Sequence, residues 1–152
     1  MDRKDINLRV GALIIKDNKL LTVKHKDFPF YYTVGGRLEF GESTEQAAMR
    51  EVFEETGYRL EVERLAIVSE NFFVPEYKDK DHHEIVFYYL MKGCESLEIA
   101  DGTPTDEERE QLFWLDLGGL EGVHLVPPFL KTSLKELHSD TGVKHIMRDE
   151  RK

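Results

Sequence analysis

The stretch from residue 35 to residue 60, GGRLEFGESTEQAAMREVFEETGYRL, constrains the fold more than any other part of the chain. Two adjacent glycines lead into a short polar loop, and Ser43 with Gln46 three residues later has the form of a capping box. Gly57 suits the left-handed residue that stops a helix. The segment should therefore run strand, loop, helix, with Ala48, Val52 and Thr56 as a narrow inward face. Six glutamates (Glu39, Glu42, Glu45, Glu51, Glu54 and Glu55) crowd into residues 39–55, where Arg50 is the single basic residue. A solvated helix gains by alternating charges three and four apart. This helix either faces solvent at an electrostatic cost or meets a cation that the sequence does not supply.

The pattern outside this segment is mostly β. Leu8 to Ile15 and Leu20 to Lys24 flank Asp17-Asn18-Lys19 and read as a hairpin. Phe28 to Val34 reads as a third strand ending at the glycines, with Pro29 placing its start at an edge. Leu60 to Val74 is long enough for two strands or for one bent by a bulge. The polar Pro75 to Asp81 turns the chain, and Glu84 to Met91 returns as a strand. Asp101 to Glu110 reads as an acidic loop, and Gln111 to Leu115 as a short strand. Pro127-Pro128 opens a second helix carrying Phe129, Leu130, Leu134 and Leu137 at helical spacing. Gly142 to Met147 adds a last short strand, with a loose tail from Asp149. This order predicts an α+β fold, a mixed β-sheet with helices on its faces.

A chain of 152 residues suits one domain with a single core. Its 21 basic and 30 acidic residues leave a net charge of −9, which argues against a nucleic-acid polymer as partner. A small phosphorylated ligand remains compatible with that charge if metal ions neutralise the site. Cys94, the single cysteine, has no partner for an intramolecular disulfide or a zinc site and reads as a buried or incidental thiol. MDRKDINLRV is not followed by the apolar run of a signal peptide, and no segment reaches the ~18 apolar residues of a membrane span. A cytoplasmic location without membrane partners is expected.

The glutamates themselves suggest a chemistry. Glu51 is three residues from Glu54 and four from Glu55, so all three can line one helix edge. Carboxylates held together without a cation raise one another's pKa. A hard divalent ion such as magnesium, which takes oxygen ligands, removes that cost. Arg50 can orient a carboxylate through forked hydrogen bonds, and Gly35-Gly36 lets the backbone approach a ligand or metal closely.

This stretch resembles the Nudix box: Gly, five residues, Glu, seven residues, Arg-Glu, an apolar residue, any residue, Glu-Glu, any residue, Gly, and a final apolar residue. Gly36, Glu42, Arg50, Glu51, Val52, Glu54, Glu55 and Gly57 fill that pattern, and Tyr58 places an aromatic at its last position. The strand leading in departs from the usual entry, with Thr33 for a large apolar residue and Val34 for a proline. The resemblance implies a Nudix-type α/β/α sandwich over residues 1–152. It also implies a Mg²⁺-dependent, or Mn²⁺-dependent, hydrolase of nucleoside diphosphates linked to another group. Carried over by position, Glu51, Glu54, Glu55 and the Gly35 carbonyl would be metal ligands. Arg50 would hold the glutamates, Glu42 would support the loop, and Glu51 or Glu54 would activate water. A non-catalytic nucleotide-sensing module on the same fold is the alternative, and homodimers are common in the family.

Nudix enzymes often take a further acidic residue from outside the box. Of Glu107, Glu108 and Glu110, the distance to Trp114 selects Glu108. Tyr31 and Tyr32 are candidates for lining a substrate pocket with Gly36, and Arg37 for meeting a phosphate or offsetting Glu39 and Glu42. His82, His83 and Glu84 are weaker substrate candidates, and Phe72, Phe73, Phe87 and Tyr89 read chiefly as core. Pro75 and Tyr77 stand slightly out of register with the markers of ADP-ribose and dinucleoside-polyphosphate enzymes, so neither selects a substrate.

Overall fold

The structure is a computed structural model that describes residues 5–74, 81–137, 139 and 141–151. Pro75 and Tyr77, and all of the expected Pro75 to Asp81 turn except Asp81, lie outside the described residues. The strands are β1 (Ile6–Leu13), β2 (Ile15–Lys16), β3 (Lys19–His25), β4 (Tyr31–Arg37), β5 (Glu61–Phe73), β6 (His82–Lys92), β7 (Thr103–Pro104), β8 (Glu110–Asp116) and β9 (Lys144–Asp149). The α-helices are α1 (Thr44–Thr56) and α2 (Leu130–Ser133).

All the strands join one sheet in the order β7-β8-β3-β4-β1-β6-β5-β9, with β2 paired to β3. The β1–β6 and β5–β9 ladders are parallel and the others antiparallel, so the sheet is mixed. One face packs Val10, Ala12, Val23 and Val34 against Ala47, Ala48 and Val52 of α1. The other packs Leu13, Leu20, Ile67 and Tyr88 against Leu130, Leu134 and Leu137, from α2 and the turn after it. Each of the buried valine, leucine and isoleucine side chains contributes about 1.5–3 kcal/mol. The expected α+β architecture, a sheet with helices on its faces, is the observed one.

Several boundaries differ for identifiable reasons. β1 pairs with β4 and β6, and only the two residues of β2 pair with β3, across a tight turn in which Asp17 and Asn18 have φ of 51° and 60°. These are residue types that tolerate the left-handed region. The third strand starts at Tyr31, beyond Pro29, which has no N–H for a ladder, and runs through both glycines to Arg37. β5 is one strand with register shifts at Val62/Arg64 and Leu65/Ile67. The expected 101–110 loop contains β7, which pairs with β8. α2 is a single turn that tightens into a 3₁₀ turn at Leu134–Glu136. The tail is ordered to Arg151, because Glu150 N–H donates to Phe72 O and Arg151 pairs with Asp149.

Candidate active site

α1 is built as its sequence implies. Ser43 Oγ accepts from Gln46 N–H, Gln46 Oε1 accepts from Ser43 N–H, and Gly57 closes the helix at φ 79°. Its buried face differs from the expected one. Glu55 takes the place of Thr56, whose hydroxyl turns back to donate to Val52 O.

β4 lies under this face, and its glycines make the contact. A Cβ on Gly36 would stand 2.4 Å from Glu51 Oε1, so the strand surface must be bare there. The next amide, Gly35 N–H, donates to Glu55 Oε2 at 2.9 Å. Glu55 is 9% exposed, and burial pushes its carboxyl up to about 9, against the pull of the Gly35 amide. Glu51, Glu110 and Asp106 push it in the same upward direction as like charges. Burial also raises Glu51, although Arg50 opposes the shift.

Arg50 ties the box together. Its Nε and Nη2 reach both oxygens of Glu42 at 3.0 and 2.7 Å, and its Nη1 reaches Glu51 at 2.9 Å and Glu54 at 3.1 Å. Nη2 also donates to the carbonyl of Arg37 at 3.1 Å. The fork holds the Glu42 carboxyl below the ordinary carboxylate range and raises the guanidinium above its own. Glu42 additionally accepts from Glu39 N–H, pinning the loop before α1. Glu54, 42% exposed, is the most open of the three helix-edge glutamates.

The other candidates separate. Tyr32 shares the α1 side with Val34, and its hydroxyl donates to Glu110 Oε2 at 2.8 Å. Tyr31 points to the opposite face, where it meets Phe113 edge-on at 5.8 Å, so the structure does not bring it to the glutamates. Arg37 extends to Asn7 Oδ1 at 3.0 Å rather than to Glu39 or Glu42. Glu108 is exposed, whereas Glu110 is half-buried, accepts from the Tyr32 hydroxyl and, with Asp106, acts on Glu55 as a like charge. The cause is a turn in which Glu110 N–H donates to Glu107 O. That turn leaves Glu108 in solvent and starts β8 at Glu110. Tyr89 is core, with its hydroxyl 2.6 Å from Thr44 Oγ1, and Phe87 packs half-buried beside it. His83 stacks on Phe72 at 4.3 Å, His82 lies 5.8 Å from Phe73, and Glu84 is half-buried on β6. Cys94 is a buried thiol, as expected.

Asp106 and Arg9, which act electrostatically on Glu55 and Glu51 respectively, are not among the sequence candidates, and Glu110 is the candidate that the spacing from Trp114 passed over. For Glu110 a signal existed. Residues 110, 112 and 114 alternate along a strand, and the apolar Leu112 and Trp114 mark that side as facing the core.

Among the described residues, no three His, Cys, Asp or Glu side chains gather closely enough to hold an ion in this arrangement, in which Arg50 Nη1 bonds both Glu51 and Glu54. The donors nevertheless fit a hard divalent cation in kind, because they are all carboxylate or backbone oxygens. Glu55 is a buried carboxyl with like-charged neighbours, the environment that a cation would relieve.

Comparison with known proteins agrees with this geometry. The family model described as the NUDIX domain matches residues 5–137. A putative 8-oxo-dGTP diphosphatase of Bacillus subtilis is 37% identical over 98 residues, which cover 62% of this chain and 60% of that protein. An ADP-ribose pyrophosphatase of Methanocaldococcus jannaschii is 47% identical over 51 residues, covering 32% of this chain and 30% of that one. The matched regions thus span less than two thirds of either relative. A NUDIX hydrolase structure from Nitrosomonas europaea superposes with a TM-score of 0.65 at 18% identity, over 97% of this chain and 80% of the other, a likeness of fold.

Proposed function

This chain belongs to the NUDIX domain family, and on that premise we propose that it is a divalent-metal-dependent pyrophosphohydrolase. Its substrate would be a small nucleoside diphosphate linked to another moiety, cleaved by attack of water at phosphorus. The observation that carries the reading is Glu55, a carboxyl buried against the bare glycine strand with its pKa pushed up to about 9. Such a group costs stability unless a cation sits beside it.

Glu51, Glu54 and Glu55, with the Gly35 carbonyl, would hold Mg²⁺ or Mn²⁺. When bound, the ion neutralises diphosphate oxygens and acidifies water. The chain's own groups do the rest. Arg50 holds Glu51 and Glu54 at 2.9 and 3.1 Å and anchors the loop through Glu42, and part of this grip would have to pass to the ion when it binds. Glu54, the most open of the three, or Glu51 would take the proton of the attacking water. A new P–O bond then forms from that water as the bridging P–O bond breaks, and the leaving phosphate departs with the second group. Gly36 keeps the strand bare where the Glu51 carboxylate lies against it.

The names of the relatives suggest two substrate classes, oxidised deoxynucleoside triphosphates and ADP-ribose. The test is phosphate release, coupled to a phosphatase, from a panel of both classes plus nucleotide sugars, dinucleoside polyphosphates and capped nucleotides. It should be run with Mg²⁺ or Mn²⁺ and beside Glu54→Gln. Metal-dependent turnover of one class, lowered about 10²–10⁴-fold in the variant, is the expected result for loss of a general base. A folded, metal-binding protein that turns over nothing in the panel would favour a nucleotide-sensing role instead.

A further inference from the structure

The sheet ends differently on its two sides. One edge is β7, two residues long and carrying Pro104. The other is β9, six residues long and paired among the described residues only with β5. β9 also lies beyond residue 137, where the match to the family domain ends. Glu150 N–H donates to Phe72 O, so in this parallel ladder the even-numbered residues turn their backbone groups to β5. The amides and carbonyls of His145, Met147 and Asp149 therefore point away from the sheet, an open edge that a further strand can fill. The side chains of these three residues are exposed, Met147 at 66%.

The sequence of this edge is complementary to itself. When two copies run antiparallel about a two-fold axis through Met147, Met147 meets Met147, His145 meets Asp149 and Lys144 meets Glu150 of the second copy. An axis through Ile146 would set Lys144 opposite Arg148, and one through Arg148 would set that residue opposite itself. An axis between two residues would pair side chains from opposite faces of the sheet. Opposite charges across a ladder attract and like charges repel. The charges that blunt this edge against other strands thus favour one register with a second copy. Lys144, His145, Glu150 and Asp149 have partners within the chain (Glu136, Glu70, Arg148 and Arg151), but at an exposed edge each can take a second.

We propose that β9 is a homodimer interface, pairing antiparallel with β9 of a second copy in the register centred on Met147 and joining the two sheets into one. The pairing uses up the long edge of both copies, so assembly stops at two. Sedimentation velocity of the whole chain over a concentration series should show a monomer–dimer equilibrium. Hydrogen exchange at the His145, Met147 and Asp149 amides should slow as the dimer forms. Met147→Pro removes an outward N–H while leaving the bonds to β5, and should abolish the dimer. Lys144→Glu and Glu150→Lys each turn two symmetry-related contacts from attraction to repulsion and should weaken association about tenfold or more. An equimolar mixture of these two variants should recover it, because each strand then faces its complement. Lost pairing within the chain would not be repaired by mixing.

The proposal is overturned by a parent that stays monomeric across the series, whether its β9 edge remains open or takes a strand from another protein. It is overturned too by assemblies larger than two, or by a dimer that forms without slowing exchange at His145, Met147 and Asp149. A dimer that survives Met147→Pro, or a mixture that associates as weakly as its components, has the same consequence.

Discussion

Glu55→Gln should stabilise the metal-free protein at neutral pH, by an amount that grows with pH. The ordinary glutamate value of 4.5 applies in the unfolded chain, and burial raises the folded value to about 9. Below pH 4.5 the carboxyl is protonated in both states and costs nothing. Between 4.5 and about 9 the unfolded chain releases the proton while the folded chain keeps it, so stability falls as pH rises. The slope approaches about 1.4 kcal/mol per pH unit, or roughly 2–3 kcal/mol between pH 5 and pH 7. For a domain of this size that corresponds to about 5–10 °C in melting temperature. Glutamine cannot ionise, yet its carbonyl can still accept from Gly35 N–H, so the variant should lack this component. The assay is thermal unfolding by circular dichroism in chelator, from pH 5 to pH 9, for both proteins. Their melting temperatures should diverge steadily with pH. Saturating Mg²⁺ should flatten the parent's curve, since the ionised carboxylate then has a partner. Parallel curves in chelator would refute the reasoning, because Glu55 would then ionise in the folded state as easily as in the unfolded one.

The glycine pair and the arginine give separable outcomes. Gly36→Ala sets a Cβ 2.4 Å from the movable end of Glu51, so calorimetry should show metal affinity lost with melting temperature nearly kept; a variant that binds metal normally would contradict this. Gly35→Ala sets its Cβ 2.1 Å from Val10 O, which is backbone and cannot swing away, so that variant should unfold at lower denaturant by several kcal/mol, in the range for overpacked or strained sites. Arg50→Lys keeps the charge but cannot span Glu42, Glu51, Glu54 and the Arg37 carbonyl at once. A loss of about 1–3 kcal/mol in urea unfolding is expected from the polar groups left unpaired, and an unchanged midpoint would show the fork to be dispensable.

What was readable from the chain alone is what local chemistry controls. The capping box of Ser43 and Gln46, the stop at Gly57 and the spacing of Glu51, Glu54 and Glu55 depend on neighbours within a few residues, so sequence suffices to place them. The alternating apolar runs likewise announced β1, β3, β5, β6 and β8. Their limits slipped where the ladder, not the propensity, decides. β4 continues through Gly35 and Gly36 because β1 pairs with it there, and β7 exists because β8 offers it partners.

The site shows the same division. That Arg50 would hold the glutamates was legible, since it lies within one or two turns of them on one helix. That Tyr32 rather than Tyr31 faces them was not, because consecutive strand residues point to opposite sides and only packing decides which side α1 covers. Nor did spacing from Trp114 select Glu110 over Glu108. That choice depends on where the turn ends and the β8 ladder with β3 begins. Local hydrogen bonding and periodicity are written in a run of residues. Which distant carboxylate meets Tyr32 is decided only when β4 and β8 come into register through β3, since side-chain proximity across a sheet is a property of the pairing and not of any one segment.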